Sequence, residues 1–174
     1  MNLHQHLKDR HLDVSLYSSV IICDDVVVFP LWNLSGQWCG YQQYRPEADK
    51  AAKNHPRDGR YYTSLHGSKY EKPIGVWGVD TLHFDPHIVV IVEGVFDACR
   101  LHNRGIPAVA LLSSSYKSYR NWINSLGRKV YKVEDDHGSS LGPYQNLHLP
   151  DGVGDLGECS EQQLTTVINQ IKGE

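Results

Sequence analysis

A chain of 174 residues and 19.7 kDa can bury a hydrophobic core in one domain, or in one domain with a modest N-terminal extension, but not in two large ones. Hydrophobic residues at 40% and charged residues at 21% exclude disorder, collagen and low complexity, and a net charge of −3 excludes attraction to nucleic acid by overall charge, so any such contact needs a local basic patch. No apolar run approaches the roughly 20 residues of a membrane helix and the N-terminus is polar, so the chain reads as soluble and cytoplasmic, with no membrane partner.

From the N-terminal side, Val20-Ile21-Ile22 and Val26-Val27-Val28-Phe29, split by Cys23-Asp24-Asp25, predict two strands of a hairpin. Asn33 to Gly36 is a turn, and Gln37 to Arg45 alternates as a third strand that ends at Pro46. A polar loop from Glu47 to Gly59 carries Lys50, Lys53 and Arg57, and Arg60 to Ser64 predicts a fourth short strand. Asp80 to Phe84 predicts a short helix. The strongest pattern is Ile88-Val89-Val90-Ile91-Val92, an uninterrupted apolar run of the kind buried on both faces of a sheet. Val95 to Asn103 is then a helix stopped by Gly105-Ile106-Pro107, and Ala108 to Leu112 a second buried strand, which makes a βαβ unit and calls for a parallel sheet. Tyr119 to Leu126 predicts a helix with Trp122, Ile123 and Leu126 inward, and Val130 to Val133 a third strand. Glu161 to Lys172 closes the chain as an amphipathic helix, capped by Ser160 with Gln163 three residues on. The four tryptophans, Trp32, Trp38, Trp77 and Trp122, read as packing residues.

Three acidic clusters fall at or just beyond strand ends: Glu93; Glu134 with Asp135 and Asp136; and Asp155 with Glu158. Ligands in open α/β sheets bind at the carboxyl ends of strands, and hard carboxylate oxygens there suit magnesium carrying phosphate as a further ligand. The four cysteines form no C-x-x-C pair, and the ten histidines make no H-E-x-x-H pattern, so neither a zinc ribbon nor a disulfide framework is expected.

The segment Val92-Glu93-Gly94-Val95-Phe96-Asp97-Ala98 resembles the E-G-x-x-D-A opening of the TOPRIM domain of DNA primases. Glu134-Asp135-Asp136 resembles that family's D-x-D, and Leu149 to Asp155 its L-P-x-G-x-D segment, in the same order. Upstream, Val28 to Leu31, Gly36, Gly40-Tyr41 and Arg45 are similar to the primase F-P-x-x-D-x-x-G-x-x-x-G-F…R stretch, and Lys72 to Gly78 to the K-x-x-x-x-Y-G step before TOPRIM. Two departures stand out: the first acid of the D-x-D is Glu134, and too few residues separate Asp136 from Pro150 for the helix and extra strand of cellular primases, as in the compact TOPRIM proteins of tailed phages.

The resemblance implies an α/β fold in which a TOPRIM-like parallel sheet flanked by helices, residues 87–174, follows a mainly antiparallel β (α+β) subdomain, residues 1–86. It implies a phage-type, stand-alone primase core without zinc ribbon or helicase motor, using Mg2+ or Mn2+ to make RNA primers from NTPs on single-stranded DNA in the host cytoplasm. Glu93 would be the catalytic base or acid, with Asp97 supporting it; Glu93, Glu134, Asp136 and Asp155 would form the metal set; Tyr44, Arg45, Lys50 and Lys72 would contact template or nucleotide. A replicative helicase or another replisome protein is the expected partner. Two other functions stay open, a TOPRIM nuclease cleaving phosphodiesters and a catalytically silent binding subunit of a replication or host-targeting complex.

Overall fold

Two units make up the chain, Met1–Trp77 and Gly78–Glu174, and the structure, a computed structural model, describes residues 2–50, 52, 54–67, 74–113, 115–134 and 140–173. The sequence-predicted Lys72 and Asp136 lie outside the described residues, as does Lys53.

The first unit opens on helix α1 (Leu3–Asp9), which the polar N-terminus concealed. Leu3 and Leu7, four apart, share its buried stripe, and the Asn2 side chain accepts from the Gln5 amide to start it. A four-stranded antiparallel sheet follows in the order β1 (Ile21–Ile22), β2 (Val27–Trp32), β3 (Trp38–Tyr44), β4 (Tyr61–Leu65). Val27, Phe29 and Leu31 alternate onto one face and are fully buried. Trp77 completes that core, 5.5 Å edge-on to Phe29 and 5.0 Å from Tyr17 between ring centroids. The β2–β3 turn is written in its residues: Asn33 Oδ1 accepts from the amides of Ser35 and Gln37, and Gly36 takes the left-handed φ of 75° that closes it. Trp38 departs from the packing role expected of the tryptophans; it stands 54% exposed where β3 begins, edge-on to His66.

The second unit begins at Gly78. The 3-10 turn Val79–Phe84 belongs to the parallel sheet, because Thr81 Oγ1 donates to the Gly78 carbonyl at 2.7 Å and meets His102 Nε2 at 3.1 Å, and Arg128 Nη1 donates to the Leu82 carbonyl at 2.7 Å. Its sheet has the order β6-β5-β7-β8, all parallel: β5 (Ile88–Val92), β6 (Ala108–Ala110), β7 (Lys129–Lys132) and β8 (Gln145–Asn146). Helix α2 (Val95–His102) connects β5 to β6, α3 (Arg120–Ser125) precedes β7, and α4 (Glu161–Lys172) ends the chain. The capping box of Ser160 and Gln163 is present at α4 as its sequence requires. Strand β8, which the sequence did not mark, is short enough for the segment before Pro150: two residues pair, Tyr131 with Gln145 and Lys132 with Asn146. The expected β6 ends early, at Ala110, because Leu112 turns into the left-handed region at φ 54°.

Candidate functional site

Chain direction fixes where the site must be. From β5 the chain moves to β6 on one side, then returns to place β7 and β8 on the other side of β5, so the order reverses between β5 and β7. Such a switch point leaves a crevice beyond the carboxyl ends of the two strands. Ile91 pairs with Lys132, and Val133 continues the ladder by donating from its amide to the Ile91 carbonyl at 3.0 Å. Two residues past those partners, on either strand, stand Glu93 and Glu134. Sequence had marked both, and the register brings the strand ends that carry them to the same edge of the sheet.

Glu93 is half-buried, and its peptide is fixed by the Leu112 amide, which donates to the Glu93 carbonyl at 3.0 Å. Gly94 is the N-cap of α2 with extended backbone, and its lack of a side chain has a steric reason: a Cβ there would stand 2.9 Å from Asp97 Oδ2. Asp97 lies in the first turn of α2, folded back over Gly94, where the helix N-terminus favours negative charge. The E-G-x-x-D pattern is therefore a single local structure.

Glu134 is held from two sides. Its Oε1 accepts from the Leu141 amide at 3.0 Å and from Lys132 Nζ at 2.7 Å, and the same ammonium donates to the Gly142 carbonyl at 2.6 Å. Lys132 was missed by the sequence reading, although a signal was there: residues two apart on an extended chain share a face, which puts the lysine of Val130-Tyr131-Lys132-Val133 on the side of Glu134.

Asp155 starts the 3-10 turn Leu156–Glu158; its Oδ1 accepts from the Glu158 amide at 2.9 Å, while Glu158 Oε2 accepts from the Gly154 amide at 2.9 Å. That turn sits against α2. Arg100, 2% exposed, donates through Nε to the Leu156 carbonyl at 3.2 Å, through Nη2 to the Cys159 carbonyl and through Nη1 to Glu161 Oε1 at 2.6 Å. Burial raises the Cys159 thiol pKa, and the nearby Asp155, Asp97 and Glu158 carboxylates add to the rise against the opposing Arg100 charge. Arg100, which ties this turn to α2, was also missed: an arginine on a helix reads as surface until its partners are known.

Among the described residues no group of three or more His, Cys, Asp or Glu side chains is disposed to hold a metal ion. Of the expected set Glu93, Glu134, Asp136 and Asp155, Asp136 lies outside the described residues, and one Asp155 oxygen and one Glu134 oxygen already accept from other donors. The donor chemistry still fits one magnesium ion, which takes one or two carboxylates and completes its shell with water and phosphate: Glu93 is one such group, and Glu134 retains Oε2.

In the first unit, Tyr44 does not offer a face to a base. It is 4% exposed, its ring 4.9 Å from that of Tyr61, and its hydroxyl is 2.9 Å from His6 Nε2. Arg45 secures the polar loop, donating through Nη1 to the Arg57 carbonyl at 2.7 Å and through Nε to Asp25 at 3.4 Å. Lys50 is exposed. On the sheet face opposite Tyr44, the rings of Tyr41 and Tyr62 lie 6.3 Å apart with the Arg57 guanidinium 5.6 Å over Tyr62, an aromatic and cationic pairing able to stack on bases.

No family model and no curated protein matches the chain. Its fold is similar to solved primase structures. The zinc-binding and RNA polymerase domains of the Aquifex aeolicus primase match with a TM-score of 0.62 and 21% identity over 97% of this chain. A DnaG catalytic core matches with a TM-score of 0.64 and 15% identity over 98%, and a DnaG primase catalytic domain bound to single-stranded DNA with 0.59 and 17% over 98%. This chain spans 46%, 73% and 58% of those chains respectively. The architecture is that of the TOPRIM-like primase core, an antiparallel sheet joined to a parallel four-stranded sheet with flanking helices.

Proposed function

We propose that this chain is a primase core, a nucleotidyltransferase of phage replication that joins ribonucleotides on single-stranded DNA with Mg2+ or Mn2+. The observation that carries the reading is the placement of Glu93 and Glu134 on either side of the switch point between β5 and β7, in a fold shared with primase cores. Glu93 and Glu134 hold the ion, with Asp136 as the sequence-based third ligand and Asp155 in support. An ion held there would supply charge neutralisation for the triphosphate.

The chain's own residues supply the remainder. Glu93, at the end of a rigid buried strand, is the group that takes the proton of the attacking hydroxyl. Asp97 adds negative charge beside it from the first turn of α2. Arg45, Lys50 and Lys72 meet template or nucleotide phosphates, and Tyr62 with Arg57 takes the stacking role that Tyr44 cannot. A replicative helicase would deliver the template strand.

The test is primer synthesis on single-stranded DNA with NTPs and Mn2+, comparing wild type with Glu93→Gln. Loss of about 100-fold or more in the variant, with the fold intact, is expected for a proton-transfer group. Equal activity in the two proteins sinks the assignment, and DNA cleavage without incorporation replaces it with the nuclease reading. One observation favours a second reading, the silent binding subunit: Lys132 already neutralises one carboxylate of the site. Absence of any Mn2+ binding in calorimetry would establish that reading instead.

A further inference from the structure

We propose that Lys132 is a resident cation of the acidic site and sets how tightly this chain takes a divalent ion. The inference rests on the reading of Glu134 as a metal ligand and concerns the regulation of that same site. Nζ of Lys132 lies 2.7 Å from Glu134 Oε1 and 2.6 Å from the Gly142 carbonyl oxygen, so the ammonium is anchored at both ends of the segment that follows β7. The side chains are only 12% and 26% exposed, which keeps solvent from screening the pair as it would at the surface. The Leu141 amide, 3.0 Å from the same Oε1, fills the remaining capacity of that oxygen.

A divalent ion then has two routes onto Glu134. It can bind through Oε2 of a carboxylate whose charge is already shared with an ammonium, or it can displace Nζ and leave the Gly142 carbonyl without its donor. Both routes cost affinity, and both costs vanish when the cation is removed. Lysine suits such a role because its charge is a compact point on a flexible stem, able to withdraw when a stronger cation or a phosphate arrives.

The test is Mn2+ titration of the full chain, followed by loss of the free-ion electron paramagnetic resonance signal, with no activity measurement needed. Lys132→Gln removes the charge while retaining a donor for Gly142, and Lys132→Met gives a second neutral variant should the first fold poorly, with circular dichroism reporting the fold of each. Either variant should bind Mn2+ about tenfold more tightly than wild type, a coupling in the middle of the range for groups in one hydrogen-bonded network. In a Glu134→Gln background the same change should gain about twofold or less, since the carboxylate through which Lys132 acts is gone. Wild-type binding that Lys132→Gln leaves unchanged or weakens overturns the inference and leaves the metal reading standing. An equal gain in the Glu134→Gln background also overturns it, because the charge would then act without Glu134. Absence of Mn2+ binding in every variant overturns both.

Discussion

Acidification should unfold the parallel-sheet unit through one buried group, His102. This ring, 2% exposed on α2, lies with Nε2 2.9 Å from the Ala108 carbonyl and 3.1 Å from Thr81 Oγ1. Burial lowers its pKa from 6.5 to about 4, against a partly opposing hydrogen bond to Ala108. A histidine depressed in the folded state binds fewer protons there than in the unfolded chain between those two values. Stability from this group is therefore complete above pH 6.5, falls as pH drops, and levels out below about 4. Linkage with these two values gives a loss of about 2 kcal/mol between pH 7 and pH 5 and about 3 kcal/mol by pH 4. Urea unfolding followed by far-ultraviolet circular dichroism measures it, with His102→Gln as the reference: glutamine keeps a donor near Nε2 and does not titrate. Wild type should lose about 2 kcal/mol more than the variant on going from pH 7 to pH 5. Parallel stability curves for the two proteins would refute the reasoning, since the carboxylates that also titrate in this range are common to both.

Two further outcomes follow from the geometry around α2. Arg100→Met should cost about 2 to 3 kcal/mol in urea unfolding, because the carbonyls of Leu156 and Cys159 lose a buried donor, whereas Glu161→Gln at the exposed end of the pair should cost less than about 1 kcal/mol. Gly94→Ala should lower primer synthesis about tenfold or more while moving the melting temperature little, since the new Cβ displaces the Asp97 carboxylate and leaves the core untouched, and misplacement on that scale costs catalysis heavily; a variant with wild-type kcat would show that Asp97 has no part in the reaction.

Local sequence carries those features whose partners lie within a few positions along the chain. The run from Ile88 to Val92 is apolar without interruption, and only a strand covered on both faces can use it, so β5, α2 and the parallel class of the sheet were legible before any coordinates. The Ser160 and Gln163 cap and the Asn33 to Gly36 turn are likewise written in adjacent residues, since their hydrogen bonds close within three or four positions. Glu93 was legible for the same reason: it ends that strand and precedes the glycine that the Asp97 carboxylate requires.

Tertiary structure decided the rest, because the partners come from afar in the chain or run against local preference. Strand β8 has two residues and no pattern of its own; it exists because β7 offers an open edge. Tyr44 and Tyr62 are indistinguishable as sequence, and only the register of β3 with β4 sends one ring into the core and the other to the face beneath Arg57. Arg100 became an internal anchor through carbonyls more than fifty positions away. The acids at the strand ends were therefore legible in the sequence alone, while the cation beside Glu134 was settled by the return of Leu141 and Gly142 to Glu134 and Lys132.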